Sequence, residues 1–368
     1  MFKRLILCVT LVAACGGDDE IVPERADAGP VFDARPGQPD ATPTAEVFAL
    51  GTDFGTAGVL SKIAVPSLDV TQNFVAAVAS TDPVMRVFGN KAYIVNRFGF
   101  DNVTIVDLDT GTLVDQISTG AGTNPQDVAV QGDTIYVAAL GSGNIIVLDA
   151  ANPSATPGTI DISSYDTDGI PDASSIYRVA DTLFVTIGAL DDTFAATEGK
   201  VILIDTVDDE VSGDFDLVYN NPFGLLQPHG DQELITTTTE DFGAGAGCVE
   251  RITATGVEGS AGCLVENSAL GGYASSYRSD GDLVHLTVST SFTEAKLVTV
   301  FEGTLDGASI TASTVQPTDV AVCPSGYVVV GDATGGGLRI YGGDGTELTT
   351  EVLDIGQPPA FTNGLFCR

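Results

Sequence analysis

The sequence predicts an all-β protein, a single seven-bladed β-propeller, from three observations. After residue 45, short blocks of Val, Ile, Thr, Tyr and Phe are separated by Gly, Asp and Asn turns, and no sustained helical period occurs. The blocks recur at intervals of 42 to 51 residues, as in four-stranded propeller blades. The two ends of the repeat region supply complementary parts of one further blade.

Each repeat unit begins with an inner strand, and in most units that strand opens with proline. The opening positions are Pro83, Pro125, Pro171, Pro222, Gly272, Pro317 and Pro359. In the clearest unit, PQDVAV from Pro125 is the predicted inner strand a, and IYVAAL, NIIVLD and GTIDIS follow as strands b, c and d. The period therefore predicts four antiparallel strands in each blade.

The ends of the region 46–368 predict how the ring closes. The C-terminal segment PAFTNGLFC from Pro359 is a lone inner strand, whereas EVFALG, VLSKIAV and NFVAAV near the start are three strands without an inner partner. Combining them completes a seventh blade and removes the open sheet edges that a broken ring would expose.

The repeat resembles the YVTN-type β-propeller repeats of bacterial exported proteins. Tyr93-Ile94-Val95-Asn96 is followed by the strand from Val103 to Gly111 and then by PQDVAV, which is the order of strands in that family. The resemblance is good over 83–150 and 317–345 and weak over 220–315. It implies the propeller fold and little about function, since propellers carry many activities.

The first fourteen residues predict a lipoprotein signal peptide. Lys3 and Arg4 precede an apolar stretch, Leu5–Ala14, which is too short to span a bilayer. The stretch ends in Val-Ala-Ala-Cys, which resembles a bacterial lipobox and implies lipidation of Cys15. The alternative is an ordinary secretory signal cleaved after an A-x-A-like site.

Residues 15–45 are predicted to be the lipidated cysteine and a disordered tether, because Pro, Gly, Ala and Asp dominate them. Gly16, rather than Asp, follows the cysteine. By resemblance to other bacterial lipoproteins, this implies the outer membrane, with membrane contact through the lipid anchor alone.

Four cysteines remain in the predicted propeller, which in an exported protein suggests two disulfides. Spacing alone allows three pairings. The topology places Cys248 and Cys263 on neighbouring strands of one blade, and Cys323 and Cys367 at the ends of inner strands in adjacent blades. We therefore expect the pairs Cys248–Cys263 and Cys323–Cys367; the alternative leaves one pair reduced.

The formal net charge is −35, from 15 Lys and Arg against 50 Asp and Glu. This balance argues against nucleic acid as a partner, because such sites need Lys and Arg clusters. The simplest interpretation of the acidity is a solvated, soluble surface. A partner recognised by charge would be basic, and we expect the protein to be a monomer.

The sequence contains no recognisable catalytic motif, and its two histidines, His229 and His285, belong to different predicted blades. One loop resembles a calcium motif of thrombospondin-type repeats, with Asp166, Asp168 and Asp172 in DTDGIPD. Alternating oxygen ligands around a Gly turn suit calcium. The alternative is an Asp- and Gly-rich turn between blades.

Five predicted b–c loops pair a phenylalanine with a carboxylate, and such loops share one face of a propeller. The candidate partner-binding residues are Phe54, Phe100, Phe194, Phe242, Phe292, Asp192, Asp241 and Glu294. An acidic, aromatic face suits a basic partner through charge and cation–π contacts. The alternative is that each ring packs between blades.

The sequence thus predicts a non-enzymatic envelope scaffold that binds a protein, peptide or glycan through this face. The competing hypothesis is a metal-dependent, lactonase-like hydrolase that uses loop carboxylates. A third hypothesis is that calcium only stiffens one junction between blades.

Overall fold

The computed structural model describes residues 44–368, except residue 56, residues 192, 194, 241 and 292, residues 307–310 and residue 312. The described residues belong to one compact unit, Pro43–Arg368. The predicted signal peptide, Cys15 and the predicted tether as far as Pro43 therefore also lie outside them.

The described residues form seven small sheets arranged as a seven-bladed β-propeller, which confirms the predicted fold. We number strands a to d from the central channel outward. Blade 1 combines both ends of the described chain: strand a is β27 (Leu365–Cys367), and strands b to d are β1 (Ala45–Gly51), β2 (Gly58–Val65) and β3 (Val70–Ala79). Val47 pairs with Cys367, so the predicted closure is confirmed.

Blades 2 to 4 each contain the four predicted strands in chain order. Blade 2 consists of β4 (Pro83–Phe88), β5 (Lys91–Asn96), β6 (Asn102–Asp107) and β7 (Thr112–Ser118). Blade 3 consists of β8 (Pro125–Gln131), β9 (Thr134–Ala139), β10 (Asn144–Asp149) and β11 (Gly158–Asp161). Blade 4 consists of β12 (Ala173–Val179), β13 (Thr182–Ile187), β14 (Lys200–Asp205) and β15 (Glu210–Asp216). A 3₁₀ turn, Ser163–Tyr165, lies between blades 3 and 4.

Blades 5 to 7 are less regular. Blade 5 consists of β16 (Gln227–His229), β17 (Glu233–Thr239), β18 (Gly247–Thr253) and β19 (Gly259–Glu266). Blade 6 consists of β20 (Tyr273–Asp280), β21 (Leu283–Ser291), β22 (Glu294–Phe301) and β23 (Thr304–Leu305), and the single helical turn α1 (Asn267–Leu270) precedes it. Blade 7 consists of β24 (Pro317–Val322), β25 (Val328–Asp332) and β26 (Gly337–Tyr341).

Two strands differ from the regular four-strand prediction. In blade 7 the outer strand is reduced to two isolated bridges to β26, Leu338–Leu353 and Tyr341–Glu347. Leu338 and Leu353 exchange backbone hydrogen bonds of 3.0 and 2.9 Å. In blade 5 the inner strand β16 has only three residues and contains Pro228. Proline lacks an N–H for the sheet ladder, which shortens a strand that contains it.

Seven apolar clusters fill the spaces between neighbouring blades, one cluster at each boundary. Alternate side chains of one strand serve opposite boundaries, as the two-residue period of a strand requires. In β9, Ile135 and Val137 pack toward blade 2, whereas Tyr136 and Ala138 pack toward blade 4. The apolar core therefore runs around the whole ring, and each blade buries both of its faces against its neighbours.

Two disulfides join the cysteine pairs expected from the sequence. Cys248–Cys263 links β18 to β19 within blade 5. Cys323–Cys367 links the end of strand a in blade 7 to the end of the closing strand in blade 1. Within the described part of the chain, no helix has the length and apolar character needed to cross a membrane.

Candidate functional site

The b–c loops and the connections from strand d to strand a of the next blade lie at one end of the propeller, which we call the loop face. Seven phenylalanines of the described residues are exposed, and six of them lie on the loop face: Phe54, Phe98, Phe100, Phe223, Phe242 and Phe361. The seventh, Phe301, ends β22 and therefore lies at the opposite end. Among the described residues, exposed rings are thus concentrated on the loop face. The sequence predicted three of the six, Phe54, Phe100 and Phe242, and missed the other three.

Three of these phenylalanines have positive backbone φ angles, which residues other than glycine rarely adopt. The φ angles are +57° at Phe54, +50° at Phe98 and +49° at Phe242. For a bulky residue this left-handed conformation costs about 1–2 kcal/mol, and strained backbone of this kind concentrates at functional sites. The three rings lie in b–c loops and are exposed instead of being buried between the blades.

The rings form two groups. Phe223, Phe242 and Tyr273 meet edge to face, with centroid distances of 5.1 Å for Phe223–Phe242 and 5.5 Å for Phe242–Tyr273. Phe54 and Phe361 form a second pair at 5.8 Å. Between Phe223 and Phe361 opens a cleft of about 540 Å³, whose other lining residues are mostly Ser and Thr. Glu294 borders the same cleft.

Carboxylates surround these rings. The exposed acidic residues in the described loops of this face include Asp53, Asp168, Asp191, Glu198, Glu240 and Glu294. Two nearby cations are already paired: Arg97 binds Asp82 at 2.7 Å, and Lys200 binds Asp214 and Asp216. The face consequently presents negative charge beside aromatic rings, which is the arrangement that attracts cationic groups.

The predicted partner-binding residues have different outcomes. Phe54, Phe100, Phe242 and Glu294 are exposed on the loop face. Phe194, Phe292, Asp192 and Asp241 lie outside the described residues. Asp101, which follows Phe100, is buried instead, because its carboxylate accepts hydrogen bonds from the backbone N–H groups of Gly122 and Asn124 at 2.7 and 2.9 Å.

The predicted calcium loop lies between blades 3 and 4 on the same face. Asp168 accepts a hydrogen bond from the N–H of Ile170 at 2.7 Å, and Asp172 accepts one from the N–H of Leu190, also at 2.7 Å. Partial burial, with Asp168 and Asp166 nearby, raises the pKa of Asp172 to about 6. Calcium binding by this loop stays a prediction.

Each of the two histidine side chains forms a hydrogen bond with a neighbouring hydroxyl group. His229 Nδ1 lies 3.0 Å from Ser279 Oγ, and His285 Nδ1 lies 3.1 Å from Thr299 Oγ1. Burial lowers the pKa of His285. Across the described residues, no three His, Cys, Asp or Glu side chains come together as a group that could hold a metal ion.

Two buried aspartates hold neighbouring blades together, a role that the sequence analysis missed. Asp127 of blade 3 binds Arg86 of blade 2 through two hydrogen bonds of 2.7 Å and accepts from Ser175 Oγ and the Ile176 N–H of blade 4. It therefore connects three consecutive blades.

Asp319 repeats this arrangement across the ring closure. It binds Ser276 of blade 6 and accepts hydrogen bonds from the N–H groups of Gly364 and Leu365 in blade 1 at 2.7 and 2.8 Å. Both aspartates occupy the third position of the inner-strand motif, in PQDVAV and PTDVAV, and that shared position was the available signal.

Comparison with known proteins supports the fold and goes no further. No family model matches the chain, and no curated protein matches it. The fold is similar to that of a proposed 6-phosphogluconolactonase from Bacteroides fragilis, with 16% identity and a TM-score of 0.61 over 90% of this chain and 100% of that one.

Two further structures show how widely the fold is used. AztD from Citrobacter koseri is 13% identical, with a TM-score of 0.54 over 88% of this chain and 98% of that one. A chain of the mitotic checkpoint complex is 12% identical, with a TM-score of 0.53 over 97% of this chain and 91% of that one. At such identities the likeness shows the fold alone: the chain is a seven-bladed β-propeller.

Proposed function

We propose that the protein is a non-enzymatic scaffold of the bacterial cell envelope that binds a partner through its loop face. The observation that carries this proposal is the placement of six of the seven exposed phenylalanines of the described residues on that face. Phe98, for example, is 66% exposed. Leaving large apolar rings in water forgoes burial energy, and contiguous exposed apolar surface marks interaction sites.

The chemistry of the face narrows the partner to a protein, peptide or glycan with basic groups. Phe100 and Phe242 supply ring faces for cation–π contacts, and exposed carboxylates such as Glu240 supply attraction over longer distances. Aromatic residues are enriched at the centres of protein interfaces. A similar fold occurs in the mitotic checkpoint complex, which is a protein assembly.

The site of action in this proposal is the outer membrane, with Cys15 carrying the lipid. Replacing Cys15 by Ala should move the protein from the membrane fraction to the soluble fraction, because acyl chains supply the anchoring energy. Recovery of the Cys15→Ala variant in the membrane fraction would contradict the anchoring proposal and leave the binding proposal unaffected.

The competing hypothesis is a metal-dependent, lactonase-like hydrolase. Such an enzyme needs carboxylates that converge on a metal, and the described residues contain no such group of three. The observation that favours the hydrolase hypothesis is the similar fold of the proposed 6-phosphogluconolactonase. Hydrolysis of a sugar lactone that appears with added divalent metal, and is lost in Asp168→Asn or Glu294→Gln, would support this hypothesis instead.

The test of the scaffold proposal compares two faces of one molecule. Wild type, the double variant Phe100→Ala with Phe242→Ala, and the control Phe301→Ala are crosslinked in intact producing cells and recovered. We expect wild type and the Phe301 variant to capture the same partner and the loop-face double variant to lose it. Equal capture by all three proteins, each checked to melt normally, would overturn the proposal.

A further inference from the structure

The central channel contains a cavity that lies apart from the loop face. Its volume is about 300 Å³, and inner strands of six blades line it. Several lining residues stand at the ends of inner strands: Phe88 and Val322 lie next to a–b turns, and Cys367 ends the closing strand β27. The cavity therefore occupies the half of the channel that is remote from the exposed phenylalanines.

Two arginines project into this cavity, and only one of them has a carboxylate partner. Arg86 is neutralised by Asp127, as described above. The guanidinium of Arg278 donates to backbone carbonyls, those of Tyr277 at 2.7 Å and Leu365 at 3.4 Å. Within the described part of the chain, Arg278 forms no ion pair, and its burial lowers its pKa.

The two guanidiniums converge on one point. With the Gln227 amide oxygen turned toward them, as the surrounding donors require, this oxygen lies 3.2 Å from Nη1 of Arg86 and 3.2 Å from Nη1 of Arg278. Asn363 adds a second amide beside Gln227. Guanidinium groups and amide N–H donors form the recognition set for carboxylate and phosphate oxygens.

A buried cation without a counterion is costly. Desolvating a charged group costs several kcal/mol unless an opposite charge compensates it. The charge of Asp319 acts on Arg278 and reduces this cost, but the two residues form no ion pair, and desolvation outweighs the effect of Asp319 on the pKa of Arg278. The arrangement is what an anion-binding site requires before its ligand arrives.

We propose that the channel binds a small oxyanion, a carboxylate or phosphate group, through Arg278 and the Nη1 of Arg86, with Gln227 and Asn363 as amide partners. At about 30 Å³ per water molecule, the cavity holds about ten waters, enough for a phosphate or a small carboxylic acid. This site is independent of the partner-binding proposal, because it lies on different residues at the other half of the channel.

The experiment measures melting temperature against the concentration of sodium phosphate or sodium acetate, with sodium chloride holding the ionic strength constant. A ligand that binds only the folded state at ten times its Kd should raise the Tm of a protein this size by about 2 °C. We expect a saturable rise for wild type and none for Arg278→Gln. Saturation by phosphate at the lower concentration identifies a phosphate site, and the reverse order identifies a carboxylate site.

Lys91→Gln is the matched control, because it removes one positive charge from β5 outside the cavity. It should respond to anions like wild type. Without added oxyanion, the Tm of Arg278→Gln gives the structural cost of losing the guanidinium, which includes its hydrogen bonds to two backbone carbonyls and its interaction with Asp319. If Arg278→Gln does not fold, phosphate binding by wild type is measured directly, as broadening of the phosphorus resonance of inorganic phosphate. A wild type that shows neither saturable stabilisation nor broadening, or an Arg278→Gln variant that responds like wild type, would overturn the proposal.

Discussion

The guanidinium of Arg86 and the carboxylate of Asp127 face each other across the boundary of blades 2 and 3, joined by two hydrogen bonds of 2.7 Å. Asp127 is fully buried. The pair is also attached to blade 4 through Ser175, so that it ties three blades at the wall of the channel.

Removing one partner of this pair should be more damaging than replacing both. Asp127→Ala leaves Arg86 buried and uncompensated, which we expect to cost about 3–5 kcal/mol of unfolding free energy. The double variant Arg86→Met with Asp127→Leu should recover a large part of that loss, since neither charge remains. Urea unfolding of both variants tests this, and a single-variant cost below about 1 kcal/mol would contradict it.

The disulfide Cys323–Cys367 should stabilise the fold more than Cys248–Cys263. The first closes a chain separation of 44 residues and the second one of 15. Loop-closure entropy predicts about 4 kcal/mol for the longer loop and about 3 kcal/mol for the shorter one. Replacing each pair by Ser and measuring unfolding compares them; a larger loss from the 248–263 pair would show that sheet register matters more than ring closure.

Asp172 should make the stability depend on pH. Its folded pKa of about 6 lies above the ordinary value of 3.8, so the folded state binds the proton more tightly than the unfolded state does. This contribution is complete below about pH 4 and is lost as the pH rises through 6.

Asp172→Asn should therefore stabilise the protein at pH 7.5 and change little at pH 4. After allowance for solvent screening of this half-buried group, the gain should be about 1 kcal/mol. Asn also tolerates the φ of +56° at this position. Melting curves at both pH values test the prediction, with Asp208→Asn as an exposed control, and equal effects at both values would refute it.

Two substitutions at Phe98 separate the effect of backbone strain on stability from the effect of the ring on partner binding. Phe98→Gly removes the side chain and relieves the left-handed backbone, whereas Phe98→Ala removes the ring but keeps the Cβ atom that causes the strain. We expect the Gly variant to be about 1 kcal/mol more stable than the Ala variant, while both lose the same share of partner binding. An Ala variant as stable as the Gly variant would mean that Phe98 is not strained.

Much of the fold could be predicted because it follows from a repeat. The spacing of opening prolines, from Pro83 to Pro359, counted the blades, and the unmatched strands at the two ends gave the closure. The disulfides followed from the same strand assignment. The shortened β16 and the outer strand of blade 7, which keeps only two isolated bridges, did not follow from it, since the length of a strand depends on contacts beyond its own sequence.

The candidate site could be predicted only in part. The loop-borne rings of Phe54, Phe100 and Phe242 were anticipated from their position between strands b and c. The positive φ angles of Phe54 and Phe242 were not, because such strain is set by the surrounding fold. The convergence of Arg86 and Arg278 joins residues 192 positions apart in the chain, which no local pattern reveals.

The most direct test of the central claim is hydrogen–deuterium exchange of the protein with and without the partner captured by wild type. We predict that the partner slows exchange in loop-face segments such as residues 97–101, 221–226 and 357–364, and leaves the opposite turns around residues 207–209 and 301–304 unchanged. Protection confined to those opposite turns would contradict the claim that this propeller binds its partner through the loop face.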